Sequence, residues 1–202
     1  MLEAGNARFM AGDRAHPHQD IRLRERLAAK QSPFAVFFGC ADSRVAAEII
    51  FDQGLGDLFV VRTAGHVVDP SVLGSIEFGV EVLGAPLVVV LGHDSCGAIG
   101  ATLAASRSGQ MPPGFLRDIV ERVLPSVLAA SRDTVGEPSA EDVERAHILH
   151  TAALIADRSR IIRERLDDGR LAIVGAQYAL AVGQARFVGA VGDLDGSTAT
   201  AG

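Results

Sequence analysis

Cys40 stands in the segment GCADSR, and His93 and Cys96 stand in GHDSCGA, each segment directly after an apolar run. Thiolate and imidazole are the donors that tetrahedral zinc prefers, and three protein ligands leave a fourth position for water, which marks a catalytic zinc and not a structural one. Both cysteines of the chain fall in these two segments. Asp42 and Arg44 follow Cys40 at alternate positions. Two thiolates cancel the charge of a divalent ion, so water on it is acidified less than by a metal with three neutral imidazoles, and a hydrogen-bond acceptor is needed beside it. Asp42 fits that role, with Arg44 holding its carboxylate in a charge-assisted pair. Released from Arg44, Asp42 could become a fourth ligand and close the site. Taken singly, a cysteine is most simply a small buried hydrophobe, a histidine a structural residue and an Asp–Arg pair a solvated surface feature. Together at strand ends, they point to metal-assisted chemistry.

Such a centre needs elements that bring two distant loops together. Residues 34–39 (FAVFFG), 57–62 (DLFVVR) and 86–92 (PLVVVLG) are almost continuously apolar and are followed by helix-like stretches, the pattern of buried parallel strands. Ligands of such sheets bind beyond the carboxyl ends of the strands, where Cys40 and His93 fall, and the two loops converge if their strands are neighbours. Helices are expected over 45–53, stopped by Gly54, and over 70–83, with Pro70 in the first turn and Gly84 after the last. After a Gly- and Pro-bearing loop at 108–114 come helices over 115–131 and 140–168, a strand at 171–175 and an edge strand at 187–191. The expected class is α/β: a mostly parallel sheet of about four strands with an antiparallel edge strand, flanked by helices, within one domain spanning 1–202. Residues 1–11 and 20–30 read as amphipathic helices, an arm over 1–30 whose apolar faces must cover this sheet or a partner subunit. The tail at 196–202 is expected to fray.

Composition narrows the function further. With 202 residues, 48% hydrophobic and 22% charged, the chain can bury a substantial core. The longest apolar run, near 85–91, is far short of the ~20 residues of a membrane span, and the start lacks a basic-then-apolar signal, so a soluble, cytoplasmic protein without a membrane partner is expected. A net charge of −6 and scattered arginines oppose nucleic-acid binding. Two cysteines cannot build a disulfide framework, and with no CxxC a thiol redox protein is disfavoured. GHDSCG lacks the GxSxG of a nucleophile elbow. GLGD at Gly54 lacks the third glycine of a dinucleotide loop, no GK[ST] is present, and the acidic GDLDG near Asp193 and Asp195 reads as a turn. His16, His18, His66, His147 and His150 read as surface or structural residues, with His66, after the second strand, the best placed to shuttle protons.

CxDxR after one buried strand and HxxC after another resemble the β-class carbonic anhydrases, and the resemblance runs from GNARF near the start to the strand at Leu171. It implies one zinc per chain held by Cys40, His93 and Cys96, and an Asp42–Arg44 pair that orients a zinc-bound hydroxide for attack on carbon dioxide, giving bicarbonate and a proton. It also implies that Gln31 donates a hydrogen bond to substrate, often across a subunit interface, that the Gly97 amide is a second donor, and that Phe59 and Phe78 line an apolar pocket. Position 78 is often tyrosine in that family. Arg62 and Tyr178 look like two residues of a regulatory bicarbonate site found in some bacterial members, with Phe37 where a tryptophan would stand. The implied assembly is a homodimer joined through exchanged N-terminal helices, or a homotetramer. Two other readings stay open: a hydrolase of carbonyl sulfide or carbon disulfide on the same scaffold, and a non-catalytic zinc-binding structural or sensor protein whose shell Asp42 closes. Activity is expected to rise toward mildly alkaline pH.

Overall fold

In the computed structural model, which describes residues 1–192, all six residues of β1 (Ala35–Cys40) and all but the first of β3 (Leu87–His93) are buried. A strand covered on both faces has no polar side to alternate with, which is why both read as unbroken apolar runs. β1 and β3 pair directly and in parallel, Val36 opposite Val88 and Gly39 opposite Leu91. β2 (Leu58–Thr63) lies parallel on the far side of β1, and β4 (Ala172–Ala179) parallel beside β3. β5 (Gln184–Val191) closes the sheet as an antiparallel edge, giving the order β2-β1-β3-β4-β5. The chain steps from β1 to one side and then crosses to the other, so a crevice opens between the carboxyl ends of β1 and β3, the switch point where ligands of such sheets bind.

The expected α/β architecture is the observed one, with shifted boundaries. The first three strands each run one residue further than expected, so Cys40 and His93 are final strand residues and not loop residues. β4 continues past 175, and β5 starts at Gln184, before 187. The helix expected over 45–53 shrinks to α3 (Ala47–Ile50), and its chain turns at Asp52 with φ 45. The stretch expected over 70–83 is α4 (Pro70–Glu77), capped by the Asp69 carboxylate, followed by a π-helical turn Phe78–Val82. The helix-like stretch after the third strand, for which the sequence set no bounds, is α5 (Gly97–Ser108), and α6 is Leu116–Asp133. The single helix expected over 140–168 is two, α7 (Ala140–Arg158) and α8 (Arg160–Asp167), broken at Ser159. The Ser159 hydroxyl accepts the Ile162 N–H at 3.1 Å and donates to Glu77 at 2.6 Å, a long-range tie that no local pattern announces.

The core lies on both faces of the sheet. Val36, Phe38, Val88, Val90 and Ile173 pack on one face against Val72, Ile76, Ile148 and Ile155 of α4 and α7. Phe37, Val89, Leu91 and Tyr178 face the other way, toward Ile50 of α3. Of the N-terminal arm, α1 (Leu2–Ala11) sits on its own chain: the buried Asn6 amide donates to Ile50 O and Gly183 O and accepts the Ala185 N–H. Helix α2 (Ile21–Leu27), started by the Asp20 carboxylate, buries none of its residues. Among the described residues no helix is long and apolar enough to cross a membrane. The tail at 196–202 and the Asp193–Asp195 turn lie outside the described residues.

Candidate metal centre

Adjacent strand ends put Cys40 and His93 side by side, and a turn with Ser95 at φ 54 swings Cys96 back to start α5. One ligand atom from each of the three lies within 4.8 Å of the others, and all three residues are buried. His93 Nδ1 is 2.8 Å from the Asp94 carbonyl oxygen. A carbonyl only accepts, so the proton sits on Nδ1 and Nε2 keeps its lone pair. Among the described residues that buried Nε2 has no hydrogen-bond partner, a costly state that a metal ion relieves.

The titration of the three groups points the same way. The Cys40 thiol is lowered to about 4 because the Cys96 thiol donates to it; burial opposes this, and His93 and the amides of Asp42 and Gly65 reinforce it. The Cys96 thiol is pushed up, first by the Cys40 sulfur and then by burial. Two sulfurs so close share one proton until a cation lies between them. Burial pulls the His93 imidazole down, but Cys40, the Asp94 carbonyl and Glu144 outweigh it and hold it above its ordinary value. The raised Cys96 and His93 groups describe a site that favours added positive charge, and the lowered Cys40 thiol a thiolate ready to donate, so the residues fit a thiophilic divalent ion such as zinc.

Asp42 sits at the rim, gripped by Arg44. The guanidinium donates from Nε to Oδ1 at 2.9 Å and from Nη2 to Oδ2 at 2.7 Å, and the Arg44 amide adds a third bond at 2.9 Å. That pairing, against some burial, holds the carboxyl well below the usual carboxylate range. Asp42 Oδ2 is 3.9 Å from His93 Nε2. Arg44 also reaches Ser95 O at 3.4 Å, joining the two loops. Arg62 donates to Cys40 O at 2.9 Å and Asp42 O at 2.5 Å, so its guanidinium braces the first loop. Tyr178 and Phe37 lie together in the apolar cluster on that sheet face. Gly97 is the first residue of α5, where an amide has no acceptor within its own helix.

Gln31, Phe59 and Phe78 do not join this group. Phe59 lies opposite Val36, near the start of β1, with its ring 5.9 Å from that of Phe78. Gln31 lines a groove with Leu27, Leu55, Gly56 and Val82. Five strand steps, ~17 Å, separate Ala35 from Cys40.

Two buried residues that the spacing did not reveal stand behind the centre. Glu144 of α7 accepts the His93 N–H at 3.0 Å through Oε1, and burial pushes its carboxyl up to about 8. His147, one turn on, is bonded to Gly65 O and Ser126. In AEDVERAH, an acidic and basic helix start, nothing local distinguishes Glu144 from its solvated neighbours; only the third dimension does. His66 is wholly buried, and burial draws it well below its ordinary value, which does not suit the shuttle role considered for it. His16 and His18 are exposed, and His18 is 2.7 Å from Asp57.

Known proteins with similar sequences and folds share one description. A family model described as carbonic anhydrase matches residues 35–185. Carbonic anhydrase 2 of Mycobacterium tuberculosis is 56% identical over 193 residues, covering 96% of this chain and 92% of that protein. The carbonic anhydrase of Mycolicibacterium smegmatis is 54% identical, covering 96% and 93%. Among solved structures, a tetrameric β-carbonic anhydrase of Sordaria macrospora superposes with a TM-score of 0.72 at 26% identity, covering 93% of this chain and 94% of that one.

Proposed function

This chain belongs to the carbonic anhydrase family, in its β class, and we propose that it hydrates carbon dioxide reversibly to bicarbonate and a proton at a zinc ion held by Cys40, His93 and Cys96. The observation that carries the reading is the buried, unpartnered His93 Nε2 lying among two sulfurs within 4.8 Å. Zinc, when bound, supplies the Lewis acidity that makes water a nucleophile near neutral pH. Asp42 would accept a hydrogen bond from the attacking water and so orient it toward substrate, while Arg44 would keep the Asp42 carboxylate out of the ligand set. That restraint also disfavours the structural or sensor reading, which requires Asp42 on the metal. The Gly97 amide, which has no acceptor within its own helix, would donate to an oxygen of the substrate.

In this reading Gln31, Phe59 and Phe78 serve the centre of a second copy, since they lie at the other end of β1 from their own Cys40. The assembly is accordingly a homodimer or a homotetramer, the latter being the state of the Sordaria relative. Bicarbonate bound between Arg62 and Tyr178 would have to draw Arg62 away from two carbonyls, and Phe37 offers it no N–H.

Metal analysis combined with stopped-flow hydration of carbon dioxide tests the proposal on the wild type and Cys96→Ser. The expected result is one zinc per wild-type chain, a rate that rises from pH 6 to pH 9, and loss of both metal and turnover in the variant. Zinc without turnover at alkaline pH would favour the sensor reading, and turnover of carbonyl sulfide in preference to carbon dioxide the hydrolase one.

A further inference from the structure

Helix α7 turns one face toward the second metal-bearing loop and toward the segment that follows β2. Glu144 holds the second loop at the His93 amide, and His147 holds the segment after β2 through the Gly65 carbonyl, at 2.9 Å from Nε2. Because that carbonyl only accepts, Nε2 carries the hydrogen, and Nδ1 is left to accept the Ser126 hydroxyl at 2.9 Å. Burial lowers the ring to about 4, so it is neutral and can hold this tautomer. The His66 ring lies over it with centroids 4.4 Å apart.

Gly65 converts this grip into a contact with the centre. It adopts a left-handed conformation, φ 64 and ψ 23, and a Cβ there would come to 2.5 Å from the Cβ of Ala98. The turn points the Gly65 N–H at Cys40 Sγ, 3.3 Å away. Gly65 thus gives its carbonyl to His147 and its amide to the sulfur.

We infer that His147 is a positioning residue for the reaction: with its tautomer set by Ser126, it fixes Gly65 so that the Gly65 amide orients Cys40 Sγ and tempers its donation to the metal. The inference rests on the reading of Cys40 as a metal ligand. An N–H···S bond stabilises charge on a thiolate and fixes the direction of its remaining lone pairs, and partners of this kind behind the ligands set affinity as the ligands themselves do. If His147 served only to fill space and satisfy a buried carbonyl, its loss would lower stability and leave the metal–sulfur bond as it was.

The test loads cobalt(II) into the wild type, His147→Phe and His147→Gln. It measures metal affinity by chelator competition and the energy of the thiolate-to-cobalt charge-transfer band. His147→Phe should weaken affinity by about 10–100-fold and move the band to lower energy, because a sulfur without its amide gives up an electron more readily. His147→Gln, which keeps an N–H for the Gly65 carbonyl, should recover most of both. Unchanged affinity and band in His147→Phe, or equal losses in the two variants, would overturn the inference while leaving the zinc reading intact. A wild type that takes up no cobalt would overturn both. Should His147→Phe fail to fold, Ser126→Ala replaces it: a smaller shift of the same sign supports the role, and an unmoved band overturns it.

Discussion

At the residue level, three hydrogen bonds from Arg44 decide what Asp42 can do. Its Oδ2 is already 3.9 Å from His93 Nε2, beside the three candidate ligands. If the site holds a metal as proposed, Arg44→Gln should keep it yet lose about 10–100-fold in kcat/KM; a variant that loses the metal instead would show that Arg44 maintains the ligands and not Asp42. Glu144 makes a different claim, about pH and stability. Burial raises its carboxyl to about 8 in the folded chain, whereas an exposed glutamate in the unfolded chain titrates at ~4.3. Between those values the folded chain keeps a proton that the unfolded chain has lost, so this contribution is complete below the lower value and disappears as pH rises through the upper one. Glu144→Gln cannot titrate there and still accepts the His93 N–H. In metal-free protein, the Tm of wild type relative to Glu144→Gln should fall between pH 5 and pH 8 by at least the ~2–4 °C that 1 kcal/mol makes in a chain of this size. A constant difference would mean that Glu144 does not titrate in that window. The five residues Cys40, Asp42, Arg44, His93 and Cys96 were legible because their types and spacing are chemically unusual. Glu144 and His147 were not, because a carboxylate and an imidazole in a charged helix look like solvated side chains until the helix is laid on the sheet.

Among the elements, legibility followed burial. β1 and β3 could be read because both faces are covered and the sequence is apolar throughout. α5 (GAIGATLAASRS) could be given no bounds because small residues and two glycines blur any apolar stripe. The break at Ser159 depends on a partner far away in sequence, Glu77, and carries no glycine or proline punctuation of its own. A close junction of sheet and helix lies at Gly92 of β3, beside Glu144 and Ile148 of α7. A Cβ on Gly92 would meet Glu144 Oε1 and come to 2.7 Å from Ile148 Cγ1, so the strand can approach the helix only without a side chain. Gly92→Ala should cost about 1–3 kcal/mol through overpacking, a drop of ~2–4 °C in Tm per kcal/mol. It should also weaken metal binding, because Glu144 must withdraw from the His93 amide. An unchanged melting curve would show that α7 shifts freely, contrary to a rigid support for the centre.

For the whole molecule, the sequence placed Gln31, Phe59 and Phe78 beside the substrate by resemblance alone, and the single chain places them at the opposite end of β1 from Cys40. Both statements hold together only if a second copy brings its amino-terminal strand end to the first copy's carboxyl end. The surface there suits such a contact: Leu55 and Val82 are exposed apolar side chains lining the groove that holds Gln31, and Phe78 is exposed as well. A complementation experiment decides it. Cys96→Ser removes a metal ligand and keeps Gln31, whereas Gln31→Ala keeps the ligands and removes the proposed donor. If Gln31 serves its partner's centre, a dimer with one chain of each kind contains one complete site, with ligands from the second variant and the glutamine from the first. Unfolding the two together and refolding them makes half of all dimers mixed. The mixture should therefore regain roughly a quarter of wild-type turnover, well above the average of the two parents, if Gln31→Ala alone is strongly impaired by loss of a transition-state hydrogen bond. Turnover no higher than that average would place Gln31 in its own chain's site or outside catalysis altogether, and the two-copy arrangement of the centre would fall.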